Sequence, residues 1–204
     1  MGVKKEVVKL KDKSPDFILC LVLGIGLGIV SKYLDTVAVD GSWSANFLHF
    51  WGNLFTRLGI WVFIAALVAA YSKTMRGAAI NTFVFFIGML ISYYAFSAFL
   101  FGFFPTSYFI LWGGIALLSP LLAVVVWKAK NNGRLSMILP ALPLGLLLSL
   151  SLSIGLFYID VTHYEELIMY AFLCLVFYKN QKQIVVSIGL SVIISIIIRI
   201  SSLY

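Results

Sequence analysis

Three sets of polar residues fall inside, or at the edge of, runs that are otherwise apolar. Ser187, Ser191, Ser195 and Arg199 recur every four residues, so on a helix they form one polar stripe. Asn46, His49, Asn53 and Arg57 follow at steps of three, four and four, giving a second stripe that also ends in arginine. Glu165 and Glu166 are adjacent, and Tyr170 and Cys174 continue the Glu166 face. A guanidinium grips carboxylates and phosphates through paired N–H donors, and a buried charge needs a partner. The chemistry that suits this set is recognition of a small anionic or zwitterionic group. Arg57 and Arg199 would bind it, and Glu166 would balance them in the empty site. His49, Asn53, Ser195 and Tyr93 would add neutral hydrogen bonds. Each set also has a plain structural alternative. Serines make packing seams and bond back to the preceding turn. An interfacial arginine can snorkel to lipid phosphates, and acidic residues suit a helix N-terminus.

Catalytic and metal-binding patterns are missing. The chain has no HExxH and no GxSxG. His163 with Glu165 and Glu166, even joined by His49, matches no standard zinc spacing, so neither a metal nor a cofactor is expected. Gly24-x-Gly26-x-Gly28 lies within an apolar run with no strand before it, so it is not a dinucleotide fingerprint. The Glu165-Glu166 pair is similar to the paired glutamates of membrane-embedded prenyl-protein proteases. That pattern wants an arginine four positions on, where this chain has Tyr170. Cys20 and Cys174 both lie in apolar runs and are expected as core filler.

The elements that must position these residues follow from composition. The chain has 204 residues, of which 62% are hydrophobic and 11% charged, with a mean hydropathy of +1.04. Soluble domains are about 45–50% apolar and about 25% charged, and a small globule cannot hide this much apolar surface. The expected fold is all-α: a polytopic transmembrane helix bundle forming a single domain over 1–204. A span needs about 20 apolar residues. The runs predict about seven spans, near 16–32, 53–72, 78–101, 108–127, 135–158, 166–178 and 184–200, with six spans as the alternative. Residues 1–15 form a basic cytoplasmic segment. Residues 33–52 form an outer loop in which Trp43, Phe47, Phe50, Trp51, Leu54 and Leu58 recur at helical spacing. Such an amphipathic helix suits the membrane interface, and Ser42 or Ser44 can cap it.

Orientation follows from the basic residues. Lys4, Lys5, Lys9, Lys11, Lys13, Lys73, Arg76, Lys128, Lys130, Arg134, Lys179 and Lys182 share one side, twelve of the fifteen. The positive-inside rule therefore puts the N-terminus in the cytoplasm and the C-terminus outside. This loop pattern explains the net charge of +7 and argues against a nucleic-acid partner. Small-xxx-small pairs at Gly24/Gly28 and Gly88/Ser92 predict helix contacts. Pro120, Pro140 and Pro143 predict kinked or unwound helices.

The stretch from Ser72-Lys73-Thr74-Met75-Arg76-Gly77-Ala78-Ala79-Ile80-Asn81 through Tyr93-Tyr94 to Gly102-Phe103-Phe104-Pro105 resembles an uncharacterised group of small bacterial multispanning membrane proteins. The resemblance implies a bacterial cytoplasmic membrane and carries no activity with it. The leading expectation is a transporter-like or substrate-binding protein with an outward-facing polar pocket. Its partners would be the lipid bilayer and a small solute. One alternative is an accessory or scaffold subunit that docks on another membrane protein. Another is a membrane-embedded enzyme acting on lipid.

Overall fold

A computed structural model describes residues 14–37, 41–102, 104–131, 133, 135–154 and 159–201. The basic segment 1–13, Asp40, Arg134 and Tyr158 lie outside the described residues. Eight α-helices occur among those described: α1 (Ser14–Leu34), α2 (Trp43–Thr56), α3 (Leu58–Tyr71), α4 (Met75–Phe101), α5 (Thr106–Asn131), α6 (Ala141–Ser151), α7 (Tyr164–Phe177) and α8 (Gln181–Ser201). A 3₁₀ turn covers Leu135–Met137, and two short strands, β1 (Leu152–Ile154) and β2 (Ile159–Val161), pair antiparallel. By length and composition α1, α4, α5 and α8 can cross a membrane, and the bent pair α2 and α3 makes a fifth candidate. Large apolar side chains stay exposed along these helices, among them Leu19, Ile91, Leu117, Leu121 and Ile197, as a lipid-facing surface requires.

The chain divides into two compact units. One comprises residues 1–56 and 71–124, the other 57–70 and 125–204.

In the first unit, α1 and α4 pack backbone to backbone. A Cβ on Gly24 would overlap the Phe85 carbonyl, one on Gly28 would lie 2.5 Å from the Met89 oxygen, and one on Gly88 2.9 Å from the Leu21 oxygen. The small-xxx-small pairs therefore do what their spacing predicts. Helix α4 is closed at both ends. Thr74 Oγ1 accepts from Gly77 N at 2.9 Å. Gly102, at φ 68°, donates its N–H to the Ala98 oxygen, a left-handed cap that glycine adopts without strain. Helix α5 runs through Pro120 without a break. Proline denies an N–H to the carbonyl four residues back, here Ala116. Ser119 Oγ donates to that oxygen at 2.7 Å, so the acceptor that Pro120 orphans is served locally.

Helix α2 begins where expected. Ser42 Oγ accepts from Ala45 N at 3.2 Å. Along one face Trp43 stacks on Phe47, centroids 5.7 Å apart, and Phe47 meets Trp51 edge to face at 6.3 Å. That face is open, Trp43 being 81% exposed, while Ala45, Gly52 and Leu54 form the buried side.

In the second unit the span expected at 135–158 takes a different form. Pro140 and Pro143 deny donors to Ser136 and Leu139, and the chain makes a 3₁₀ turn and bends before α6 starts at Ala141. Helix α6 ends after 11 residues at Ser151. From its last residues onward, polar and apolar residues alternate through Leu150, Ser151, Leu152, Ser153 and Ile154. A period of two favours a strand, and Ser153 pairs with Asp160 in the hairpin register. Helix α7 starts at Tyr164 rather than 166 and has 14 residues, about 21 Å at 1.5 Å per residue. A Cβ on Gly145 would lie 2.6 Å from Ile194, so α6 and α8 are in close contact at this glycine.

Candidate functional site

Among the described residues the second unit holds nine of the fourteen charged ones. Arg57 is the residue between α2 and α3. Its Nη1 donates to Glu165 Oε2 at 3.3 Å and to Glu166 Oε2 at 3.1 Å. The two carboxylates differ in setting. Glu166 is 1% exposed and Glu165 28%, with Arg57 at 21%. Gly59, one helical position into α3, makes the burial possible, because a Cβ there would sit 2.5 Å from Glu166 Cγ. Both glutamates lie in the first turn of α7, where the helix dipole favours negative charge. Of the two arginines expected to balance Glu166, Arg57 is paired with it, and Glu165 shares the same guanidinium. Phe63 and Phe172 meet edge to face, 6.4 Å between centroids, as a further contact between α3 and α7.

The polar stripe of α8 is buried along its length. Ser187, Ser191 and Ser195 are all inaccessible, and Arg199 is half-buried. The stripe also extends one turn earlier than its serines suggest. Gln183, buried as well, donates through Nε2 to the Ser136 carbonyl at 2.9 Å. Ser187 Oγ donates to the Met137 carbonyl at 3.1 Å. These two oxygens belong to the turn that Pro140 interrupts, and Ser136 O is the acceptor that Pro140 leaves without a donor. An unsatisfied carbonyl in an apolar setting costs several kcal/mol, so the inner half of the stripe mends the backbone. Further along, Tyr170 and Ser191 share a hydrogen bond of 3.0 Å between their hydroxyls. Ser195 Oγ and Ser151 Oγ are buried with no hydrogen-bond partner among the described residues.

The remaining expected residues lie in the first unit, each with a local partner. His49 Nδ1 and Asn53 Nδ2 are 3.2 Å apart on the exposed side of α2. The Tyr93 hydroxyl donates to Asp35 at 2.5 Å, and the Lys32 ammonium lies 5.1 Å from the Tyr93 ring centroid and 4.8 Å from that of Phe101. His163 Nδ1 is 3.2 Å from the Leu150 oxygen at the hairpin. Among the described residues no three His, Cys, Asp or Glu side chains form a metal cluster, and neither cysteine joins a disulfide.

Three residues of the second unit do not stand out by their spacing: Gln183, Gly59 and Ser151. Pro140 was the available signal for Gln183, since the orphaned Ser136 carbonyl calls for a donor. No family model matches the chain, and neither a curated protein nor a solved structure is significantly similar to it.

Proposed function

We propose that this is a multi-pass membrane protein that recognises a small anionic or zwitterionic solute from outside, in the manner of a transporter or solute-binding subunit. In this reading seven segments cross, with α3, α6 and α7 as short passes, the N-terminus cytoplasmic and the C-terminus outside. The basic loops support that orientation. The membrane would be a bacterial cytoplasmic one, with lipid as surroundings and no nucleic-acid partner.

The observation that carries the reading is the burial of Glu166 against Arg57 in an apolar helical unit. Charges are placed in such settings at a cost, and they mark solute or ion sites more often than scaffolding. Arg57 and Glu165 keep a solvent-exposed edge, which is a route of approach.

An accessory-subunit reading draws on the buried serines of α8, since Gln183 and Ser187 serve backbone carbonyls rather than a cavity. The test is thermal stability of the protein in nanodiscs with acetate, phosphate, glycine or glycine betaine, each at about 10 mM, well above the range of ordinary metabolite affinities. At least one solute should raise the midpoint, and Glu165→Gln, which spares the buried pair, should weaken that shift for glycine or glycine betaine and strengthen it for acetate or phosphate, because it removes a negative charge beside Arg57. No shift with any of the four overturns the solute reading and leaves the accessory role ahead.

A further inference from the structure

Buried serines in the second unit fall into two groups. Ser136, Ser149, Ser187 and Ser191 all give their hydroxyls to carbonyl oxygens. Ser195 and Ser151 do not, although both are fully buried. Ser195 is the odd member of its own stripe. A helical serine can almost always bond to the carbonyl three or four residues back, as Ser191 does to Ile188. A buried hydroxyl that forgoes this bond calls for a different partner.

Helix register places the two hydroxyls at one level. Helices α7 and α8 are joined by three residues and run antiparallel, locked by Tyr170 to Ser191. One turn outward on each brings Glu166 and Ser195 together. Helices α6 and α8 run parallel, because Ser136 meets Gln183, Met137 meets Ser187 and Gly145 meets Ser191 and Ile194. Continuing to the end of α6 brings Ser151 between the levels of Ser195 and Arg199. Both hydroxyls therefore share the level of the Arg57–Glu166 pair, the Ser151 carbonyl accepting from Thr162 N and His163 N just before α7, and Arg199 follows one turn after Ser195 on α8.

Charge decides the ligand class. Arg57 and Arg199 against Glu165 and Glu166 is formally neutral. In a low-dielectric setting an added net charge is expensive, while a ligand carrying one charge of each sign leaves the balance unchanged. We infer that the second unit binds a small amino-acid-like zwitterion. Its carboxylate accepts from the Ser195 and Ser151 hydroxyls and from Arg199, and its ammonium meets Glu165, the carboxylate at the exposed edge, with the buried Glu166 behind it. The inference rests on the solute-site reading above and narrows it from anions and zwitterions to zwitterions, with Ser195 and Ser151 as specificity residues.

Calorimetric titration of the full chain in nanodiscs with glycine, acetate and methylammonium tests it. Glycine should bind and the two single-charge probes should not. Ser195→Ala and Ser151→Ala should each weaken glycine binding about tenfold, the loss of one hydrogen bond worth about 1.4 kcal/mol. Neither variant should lower the thermal midpoint of the ligand-free protein, because each removes a polar group that has no partner there. Loss of binding with an unchanged or raised midpoint separates ligand recognition from a folding defect. If acetate binds as well as glycine, the solute site stands and the zwitterion inference falls. If Ser195→Ala and Ser151→Ala bind glycine like the parent chain, the two hydroxyls are not a subsite and the inference falls. If no probe binds, both readings fall together.

Discussion

The α1–α4 pair and the α6–α7–α8 cluster solve the same problem, apolar helices in contact, by opposite means. The first pair uses full-length helices and brings their backbones together at Gly24, Gly28 and Gly88. Helix α4 is closed at both ends by its own residues, and in α5 of the same unit the carbonyl that Pro120 orphans is served by the adjacent Ser119. The cluster sets two short helices, α6 and α7, against the longer α8, and the backbone before α6, next to Pro140, is completed by Gln183 and Ser187 of α8. It also buries an ion pair. Close packing asks for small residues and little else. Broken helices ask for polar side chains aimed at particular oxygens, and a scaffold that already buries polar groups in this way is one into which a charged site can be set.

That contrast can be broken at several points. The largest effect belongs to the ion pair. Arg57→Ala strands Glu166 and should destabilise the protein by about 3–5 kcal/mol, measured by denaturant unfolding in mixed micelles. Adding Glu166→Gln should recover part of the loss. A cost no greater than that of an exposed pair, at most about 1 kcal/mol, would mean the buried carboxylate finds another partner.

In the first unit Gly28→Leu should cost about 1–3 kcal/mol through overpacking. Gly26→Leu on the same helix should cost almost nothing, since a Cβ at Gly26 meets no atom within 4 Å. Equal losses from the two would show that helix propensity, not backbone approach, is being measured. A change of about 1–3 kcal/mol is also expected for Gln183→Leu, which leaves the Ser136 carbonyl without its donor. An unfolding curve identical to the parent would mean water serves that oxygen. The smallest change concerns α2. Trp43→Ser with Trp51→Ser alters exposed residues and should shift unfolding by no more than about 0.5 kcal/mol. It should nevertheless speed proteolysis within 41–57 in bilayers, where the aromatic face would otherwise be held by headgroups. An unchanged cleavage rate would detach this face from the membrane.

Much of this could be read from residue types. The four-residue period of the α8 stripe, the aromatic face of α2, the glycine pairs and the opposed charges of Arg57 and Glu166 are local patterns, or follow from the cost of burying charge. Other features depend on what a run's average conceals. The stretch 135–158 is apolar enough for a span, yet Pro140, Pro143 and the serine alternation at its end divide it into a turn, a short helix and a strand. Spacing puts His49 and Asn53 on one helix face with Arg57 but does not give their partners: His49 and Asn53 meet one another, and Tyr93 meets Asp35. Gln183 escaped notice because it follows Gln181 and Lys182 in what reads as a solvated start.

The repair at Ser136 has a timing. The donor lies 47 residues after the acceptor, whereas Ser119 stands beside the proline whose damage it mends. During synthesis α5 can enter the bilayer complete. The turn before α6 reaches the membrane while Gln183 is still unmade, so its carbonyl must wait in a wet or chaperoned environment until α8 emerges. Assembly of this unit is then a late event in translation, and a nascent chain stalled before residue 181 should expose the 135–151 segment to aqueous labelling that the finished protein excludes.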